Sequence, residues 1–480
     1  MAAYLIIIPL IFSLIGFIWT GKPMKMIALI GSLAMLVFSG YLISNMAFDG
    51  SAEFTYSWLW MPEYGVNVSG GLDGLNILLI LLSSVVLPVI VINTMNKPYA
   101  EHTRLYGMLF LMVAAMNGVF IAMDGLSFYI FWEMALLPIY FICALWGDKG
   151  QLRSTFKFFI YTFVGSLMML AALIYLYLQT PGIHSFDFAA LMQVNLSITE
   201  AIWVALGFFV GFAVKIPIFP LHSWQPDTYT YAPATGTLLL SGIMLKMGTY
   251  GAMRWLVGLS PEGMEQLKMI LITLAVIGVV FGSLIAITQR DIKRVFAWSS
   301  MAHVNLIAAG IFTMSEAGWQ GALIQMFNHG VNIIGLFIVA DIIESRLGTR
   351  DLKEMGGIAL KAPNYAILAF ILLLGSIGLP LTNGFVGEFL LIKSIFVYNN
   401  FLGFLACTTV ILSAVYMFRM FQLAMFGNPT AETNHFNDVN PREFLSLGIL
   451  CFFVIVVGIL PQSFLDMSLK SVQTLLGLLH

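Results

Sequence analysis

Six ionisable side chains lie deep inside long apolar stretches of this 480-residue sequence. They are Glu133, Lys215, Lys246, His303, His329 and Glu388. Each is roughly 9 to 13 residues from the end of its stretch, a depth of about 13 to 20 Å if the stretch is helical. A charged side chain at the centre of a bilayer costs about 3 kcal/mol, so six of them at similar depth indicate a function.

The chemistry of these side chains fits the handling of protons. Burial lowers the pKa of a lysine and raises that of a glutamate, whereas pairing the two favours both charged forms. We therefore expect Glu133 and Lys215 to form a switch, in which the lysine keeps its proton while the two are close and releases it inward when they separate. Lys246 and the two histidines then relay the proton, and Glu388 is the last acceptor before the exit.

Other interpretations of these residues are less specific. Any one of the six could instead be a satisfied polar group that joins two helices. A metal site is disfavoured, because no mid-membrane histidine or carboxylate pair has helical i, i+4 spacing and a central lysine would repel a cation. His222 and Asp227, at the end of the seventh apolar stretch, are candidates for proton entry or, equally, ordinary contacts at a helix end.

The elements that must position these residues are transmembrane helices. Hydrophobic residues make up 60% of the chain and charged residues only 10%, against about 25% charged in soluble domains. The first stretch, Ala2 to Thr20, lacks a basic leader and a cleavage site, so we expect a retained helix. With about 20 apolar residues needed per span, the sequence predicts an all-α polytopic membrane protein of about fourteen helices. They begin near Ala2, Met24, Leu75, Leu105, Leu126, Phe156, Ile202, Pro233, Met269, Val295, Trp319, Pro363, Phe401 and Phe444.

Basic residues are distributed unevenly between the two sides that such helices would connect. Fifteen of the 22 lysines and arginines lie in loops on the membrane side opposite the two termini. They are Lys22, Lys25, Lys97, Arg104, Lys149, Arg153, Lys157, Arg290, Lys293, Arg294, Arg346, Arg350, Lys353, Lys361 and Arg442. The side of the termini receives Arg254, Lys268 and Lys470. By the positive-inside rule, this alternation predicts fourteen spans with both termini outside. The outside connection from Asp49 to Asp73 alternates polar and apolar residues, which predicts a short surface hairpin.

Two of the predicted helices contain breakers. The segment from Lys215 to Pro220 interrupts the seventh helix, and the segment from Gly378 to Gly384 interrupts the twelfth. Unwound backbone in a membrane persists only beside protein or water, so both breaks indicate a polar cavity, with simple proline kinks as the alternative. Their five-helix spacing predicts two inverted repeats, helices 4–8 and helices 9–13. The chain then divides into residues 1–104 with three helices and the hairpin, the repeats 105–258 and 259–427, and residues 428–480 with one C-terminal helix.

Five motifs connect the sequence with a known family. They are Phe131-Trp132-Glu133, Phe212-Ala213-Val214-Lys215-Ile216-Pro217, Pro220-Leu221-His222-Ser223-Trp224-Gln225-Pro226-Asp227, Lys246-Met247-Gly248 and Phe327-Asn328-His329. Over essentially its whole length the chain closely resembles the antiporter-like membrane subunits of respiratory complex I. That resemblance implies a proton path through Glu133, Lys215, Lys246 and Glu388, with His303 and His329 as relays. A glutamate in the twelfth helix, with no long lateral helix after the core, favours one of the three complex I subunit types.

The resemblance also implies a function and a setting. We expect a non-redox, proton-translocating membrane subunit of bacterial NADH:quinone oxidoreductase, coupled to quinone reduction in other subunits. The three cysteines show no CxxC or ligand spacing, so neither an iron–sulfur cluster nor a disulfide framework is indicated. The resemblance implies that FMN, iron–sulfur clusters and quinone are in partner subunits, with neither cofactor nor metal in this chain. Expected partners are the other membrane subunits, including two further antiporter-like chains, the lipid bilayer and protons, but no nucleic acid. The expected location is the bacterial inner membrane, with both termini periplasmic.

The sequence leaves three alternative functions open. Relatives of the same family occur in multisubunit sodium/proton antiporters and in membrane-bound hydrogenases, and both would share the same proton chemistry. Sodium prefers clustered oxygen ligands, and few carboxylates lie at mid-membrane, which disfavours the antiporter. The third alternative, from a different class, is a passive scaffold that holds other subunits together.

Overall fold

The computed structural model describes residues 1–19, 21, 23–95, 97–182 and 184–479. Two residues used above lie outside the described residues: Thr20, at the end of the first apolar stretch, and Lys22, in the count of basic residues. The described part consists of helices and one two-stranded sheet.

Fourteen apolar helices follow one another in the predicted order within the described residues. The first seven are α1 (Tyr4–Ile18), α2 (Met24–Ser44), α3 (Ile77–Met95), α4 (His102–Ile121), α5 (Gly125–Trp146), α6 (Gln151–Gln179) and α7 (Ile198–Lys215, then Gln225–Tyr231). The others are α8 (Ala234–Leu239, Leu240–Met244, Leu245–Gly251 and Ala252–Val257), α9 (Pro261–Thr288), α10 (Ile292–Phe312), α11 (Glu316–Leu347), α12 (Pro363–Ser376, then Asn383–Tyr398), α13 (Asn400–Met425) and α14 (Pro441–Ile459). The prediction of an all-α, multi-pass membrane fold is confirmed.

Three of these helices lack an uninterrupted α-helical part long enough to cross a membrane. Eleven helices in the described residues are long and apolar enough to cross a membrane. α1 has only 15 residues, α12 is broken, and α8 contains two π-helical segments, Leu240–Met244 and Ala252–Val257. Such π segments are rare and occur often at functional sites. Lys246 lies in the α-helical turns between them.

The predicted hairpin forms between α2 and α3. β1 (Glu53–Met61) and β2 (Val66–Leu72) pair antiparallel, with Trp58 opposite Val68. We call this side of the molecule the hairpin face. The other side is called the basic face, and ion pairs link its helix ends, such as Lys97 with Asp341 at 2.7 Å.

An additional helix, α15 (Gln462–Leu478), follows α14. The described residues 428–479 therefore contain two α-helices, where the sequence predicts one. The chain turns at Pro461, and the following segment carries Asp466 and Lys470, which suit a surface helix better than a span. α15 lies on the hairpin face, where the Ser471 hydroxyl accepts a hydrogen bond of 2.9 Å from the backbone N–H of Gly74.

The break in α7 follows from two prolines. Pro217 and Pro220 have no N–H to donate, so nearby carbonyl groups need other donors. The indole N–H of Trp224 donates to the carbonyl of Val214 at 2.8 Å. The side-chain amide of Asn305, in α10, donates to the carbonyl of Pro217 at 3.1 Å. The unwound backbone is thus satisfied by neighbouring protein, as a break inside a membrane requires.

The break in α12 is stabilised by α11. The helix stops near Gly378, which has a φ of +70°, and resumes at Asn383. The side chains of Asn383 and Asn332 donate to each other's oxygen at 3.1 Å in both directions, and Asn328 donates to the Asn383 carbonyl at 2.7 Å. Each five-helix repeat therefore has its fourth helix broken, as predicted.

The centre of the molecule is formed by α3, α8, α10 and α11. The apolar part of α11 is completely buried, and α3 and α10 are buried over 94% of theirs, whereas α2 and α14 reach only 33%. Three of the six predicted site residues, Lys246, His303 and His329, belong to this centre. Half of the predicted site residues thus lie on the most deeply buried helices.

The position of Arg254 differs from the prediction. The distribution of basic residues predicts that Arg254 lies in a connection on the outer side, but it lies inside α8, buried, in an ion pair with Asp73 just before α3. Pairing removes much of the cost of burying either charge alone, so the helix continues past the arginine. The pair ties the hairpin-face ends of α3 and α8 together.

Candidate proton path

Four buried side chains form a run across the centre of the molecule. Nζ of Lys246 is 2.8 Å from Nδ1 of His329, and the ring centres of His329 and His303 are 6.1 Å apart. Nδ1 of His303 is 3.0 Å from Oε1 of Glu388, at an angle that does not make a hydrogen bond. The run therefore links α8, α11, α10 and α12 in that order. It brings together four of the six residues that the sequence singled out.

Lys246 is held at the start of this run by its own helix. Its Nζ donates a second hydrogen bond, of 2.7 Å, to the carbonyl of Ser241 in the first π segment. The side chain is 1% exposed. Both contacts orient the ammonium group toward His329.

Glu388 ends the run beside the break in α12. Its Oε1 accepts a hydrogen bond of 3.3 Å from the side-chain amide of Gln325, while its Oε2 has no partner among the described residues. A Cβ atom at Gly378 would lie 2.7 Å from Oε2, so glycine is needed there both for close approach and for its positive φ. A small polar cavity lined by Ser299, Gln325, Ser376 and the two histidines lies next to the run.

Lys215 occupies a different environment at the end of the first part of α7. Its ammonium group lies over the ring of Trp132, 4.7 Å from the ring centre, and has no hydrogen-bond partner in the described part of the chain. Glu133 is close enough to attract it electrostatically, but the two do not form an ion pair. One oxygen of Glu133 is buried without a hydrogen bond. The expected Glu133–Lys215 switch stays a prediction.

A gap separates Lys215 from the run. Across the described residues, neither a hydrogen bond nor an ion pair connects Lys215 with Lys246. The helices themselves are close, since a Cβ atom at Gly248 would lie 3.2 Å from Cβ of Lys215. A proton can pass from one lysine to the other only if a side chain moves or water enters.

His222 and Asp227, the candidates for proton entry, lie toward the basic face. His222 is 8% exposed, and the rings of Phe219 and Phe281 lie 5.5 and 5.3 Å from its ring. Asp227 forms ion pairs with Lys157 at 3.4 Å and Arg294 at 3.2 Å. These contacts connect α6, α7 and α10, so Asp227 has a structural role whether or not it also admits protons.

The arrangement suits proton transfer better than metal chemistry. Within the described residues there is no group of three or more His, Cys, Asp or Glu side chains that could hold a metal ion. The run instead places an amine, two imidazoles and a carboxylate at or near hydrogen-bonding distance, and each of these groups can accept and donate a proton.

One model of a known protein family matches most of the chain. Residues 122–413, which include both broken helices and most of both repeats, match the family model described as NADH:quinone oxidoreductase/Mrp antiporter, TM. The chain belongs to this family. The resemblance stated from the sequence is therefore confirmed.

Individual members of the NADH:quinone oxidoreductase/Mrp antiporter family match nearly the whole chain. NADH-quinone oxidoreductase subunit M of Rickettsia conorii is 35% identical over 95% of this chain and 93% of its own length. F(420)H(2) dehydrogenase subunit M of Methanosarcina mazei is also 35% identical, over 99% and 98%. A chain of respiratory complex I from Thermus thermophilus has a TM-score of 0.93 at 28% identity, with 100% of both chains covered. The glutamate-bearing subunit type favoured by Glu388 is subunit M, the name that both curated relatives carry.

Several residues next to the candidate proton path were not predicted from the sequence. The sequence motif that contains Trp132 does not predict its contact with Lys215. Nor does the sequence predict the hydrogen bonds of Gln325 with Glu388 and of Asn332 with Asn383. Asparagine and glutamine within an apolar stretch were the available signal, since polar side chains in a membrane need partners. The two π segments on either side of Lys246 could not be predicted in this way, because no residue type in the sequence marks them.

Proposed function

We propose that this chain is subunit M of a proton-translocating NADH:quinone oxidoreductase. The observation that carries the proposal is the buried run from Lys246 through His329 and His303 to Glu388. Four proton-exchanging groups at such depth are expensive unless they are used. Close similarity to proteins named as subunit M supports the choice of complex.

Each residue has a proposed role. Glu133 and Lys215 respond to a charge change in a neighbouring subunit, so that Lys215 delivers a proton toward the run. Lys246, His329 and His303 relay it, and Glu388 is the last acceptor before the exit on the hairpin face. His222 and Asp227 lie on the proposed entry side. The absence of contact between Lys215 and Lys246 fits a gate that opens only during turnover.

The remaining features of the setting are part of the proposal. Redox chemistry with FMN, iron–sulfur clusters and quinone takes place in partner subunits, among them two other antiporter-like chains, and this chain holds no redox group. The complex lies in the bacterial inner membrane, with both termini of this chain on the periplasmic side. The functional units are the repeats 105–258 and 259–427, flanked by residues 1–104 and 428–480.

Variants of Lys215 and Glu133 in the assembled complex test the proposal. We expect Lys215→Ala and Glu133→Ala to abolish NADH-driven proton uptake by inverted membrane vesicles while assembly, checked on native gels, stays intact. Lys393→Ala is a suitable control, because this lysine of α12 is exposed. Full proton pumping in both path variants would refute the proposed function, and would favour a scaffold.

A cation/proton antiporter subunit is the second candidate, because the family model covers both kinds of protein. Sodium-dependent proton flux in vesicles that contain the purified complex would favour it. The electron donor needs its own test, since a subunit of an F(420)H(2) dehydrogenase is equally similar to this chain. Identification of the copurifying subunits distinguishes an NADH-oxidising partner from one that uses F420H2, and nickel would indicate a hydrogenase.

A further inference from the structure

A buried ion pair lies on the helix of Lys246, between that lysine and the hairpin face. Arg254 follows Lys246 by eight residues on α8, a distance of about 12 Å at 1.5 Å per residue. Its guanidinium group pairs with the carboxylate of Asp73, and both side chains are buried. Replacing a buried ion pair by apolar side chains is often neutral or stabilising, so stability alone does not account for these charges.

The opposite half of α8 has no such charges. From Ala234 to Leu245, between the basic face and Lys246, the sequence contains three hydroxyl side chains but no ionisable residue. The charged pair is therefore present only on the hairpin side of Lys246. A proton on Lys246 meets fixed charges on α8 only if it continues straight along this helix toward the hairpin face.

The two directions away from Lys246 also differ in their polar atoms. In the run, several buried nitrogen and oxygen atoms have no hydrogen-bond partner among the described residues, so they can form new hydrogen bonds. Along α8, the hydroxyl groups are already used. Thr249 donates to the carbonyl of Lys246 at 3.2 Å, and Tyr250 donates to the carbonyl of Phe120 at 2.7 Å. The straight direction therefore offers a proton fewer free acceptors than the run does.

The ion pair itself is a poor proton carrier. A guanidinium group has only donors and keeps its proton in proteins, so Nε of Arg254, which has no partner among the described residues, cannot accept one. Both oxygens of Asp73 are occupied, because Oδ1 accepts from the backbone N–H groups of Leu75 at 2.9 Å and Asn76 at 3.2 Å, and Oδ2 pairs with Arg254. A proton on Asp73 would break the pair and leave the guanidinium as an uncompensated buried charge.

The turn that contains Asp73 is also held from the hairpin face. The N–H of Gly74 donates to Ser471 of α15 at 2.9 Å. A Cβ atom at Gly74 would lie only 2.6 Å from the carbonyl oxygen of Met467, so α15 packs directly against this turn. The carboxylate is thus fixed by its own turn, by Arg254 and by the helix that covers it.

We propose that the Asp73–Arg254 pair is an electrostatic barrier that prevents protons from passing between Lys246 and the hairpin face along α8. With this direction closed, a proton on Lys246 leaves sideways, through the two histidines of the run to Glu388. An arginine can exclude protons and other cations from a membrane pore by its charge. The inference rests on the proposed function, because it concerns protons that move along the run.

Neutralising the arginine tests the barrier in the purified complex. Proteoliposomes contain the complex with its basic face outside, together with an ATP-driven proton pump that maintains an acidic interior independently of the complex. When NADH and a quinone are added, the wild-type complex should steepen this pH gradient. Arg254→Gln should instead let protons return on the order of tenfold faster, the effect of one elementary charge at about 12 Å for an effective dielectric constant of about 20.

Two further variants separate charge from packing. Lys97→Gln is the matched control, because Lys97, just after α3, also contacts a central helix through its pair with Asp341, but on the basic face. It should leave the return of protons unchanged. Arg254→Gln combined with Asp73→Asn replaces the pair by two neutral side chains, so no lone buried charge remains that could impair assembly. This neutral pair should also let protons return faster than in the wild type.

The dependence on Lys246 decides whether the returning protons come through the run. Adding Lys246→Met to Arg254→Gln should abolish the extra return, because the opened segment then has no proton-carrying group to connect with. A return that persists in this combination would indicate loosened packing and would overturn the proposal, as would a wild-type return rate in both Arg254→Gln and the neutral pair. A failure of the proposed function is a different result, in which Lys246→Met alone pumps like the wild type.

Discussion

The pair at the broken helix α7 and the run that ends at the broken helix α12 hold their charges differently. Lys215 lies over an aromatic ring and makes no hydrogen bond within the described residues, whereas Lys246 contacts both a carbonyl and a histidine. Both lysines are 1% exposed. Burial is therefore equal, and only the partners differ.

This difference has an energetic basis. A buried ammonium group costs several kcal/mol without a partner, and an aromatic ring offsets about 0.5 to 2 kcal/mol of that cost. Hydrogen bonds from a charged group contribute about 1.5 to 3 kcal/mol each. Lys215 is therefore the more weakly held side chain and Lys246 the more firmly held one, which fits the proposed roles of Lys215 as part of a switch with Glu133 and of Lys246 as part of the relay.

The largest loss is expected when the connected run is cut at its start. Lys246→Met should lower NADH-driven proton uptake by inverted vesicles on the order of 100-fold, the usual contribution of a positioned proton-transfer group. Lys246→Arg should do the same, because a guanidinium keeps its proton. Thr249→Val, one turn away on α8, is the control. Normal pumping by Lys246→Arg would show that a fixed charge, and not proton exchange, is what the site needs.

Removing the last acceptor should have a smaller effect. Glu388→Gln should reduce proton uptake on the order of tenfold, since His303 and His329 remain in place and can still exchange protons. Glu388→Asp keeps a carboxylate and should recover most of the activity. If the two variants pump equally well, Glu388 is not the terminal acceptor.

The weakly held lysine can be probed through the ring beneath it. Trp132→Leu should slow coupled NADH oxidation about two- to fivefold, in line with the loss of a cation–π contact. Trp132→Phe retains a ring and should fall between wild type and Trp132→Leu. Equal rates for Leu and Phe at this position would mean that the ring does not hold Lys215.

The smallest effect concerns stability rather than transport. Asn332→Leu leaves Asn383 without its reciprocal partner and should destabilise the α11–α12 contact by about 1 kcal/mol. The measurement is the fraction of assembled complex on native gels after heating in detergent. Thr409→Val is the matched control, because this buried hydroxyl has no hydrogen-bond partner among the described residues. A loss no greater than that of the control would contradict the proposed support of the α12 break.

The features that depend on local composition could be predicted from the sequence. The helices, the hairpin and the two breaks follow from apolar length, alternation and proline, and the depth of Lys246 or Glu388 follows from counting residues. Contacts between helices distant in the chain could not be counted in this way. Lys246 contacts His329, which is 83 residues away in the chain. Lys215 lies over the ring of Trp132, which belongs to another helix. No helical or strand periodicity in the sequence predicts either contact. Arg254 was misplaced for the same reason, because its partner Asp73 lies near another helix.

The two π segments of α8 make the orientation of Lys246 a matter of residue number as well as residue type. The lysine lies in the seven-residue α segment Leu245–Gly251, between segments that each contain an extra residue per turn. If all five residues of Leu240–Met244 took the ordinary α-helical form, everything beyond them would rotate by roughly the 100° that one residue turns. A substitution that straightens this π segment can thus turn Lys246 away from His329 while every proton-carrying side chain remains in the protein.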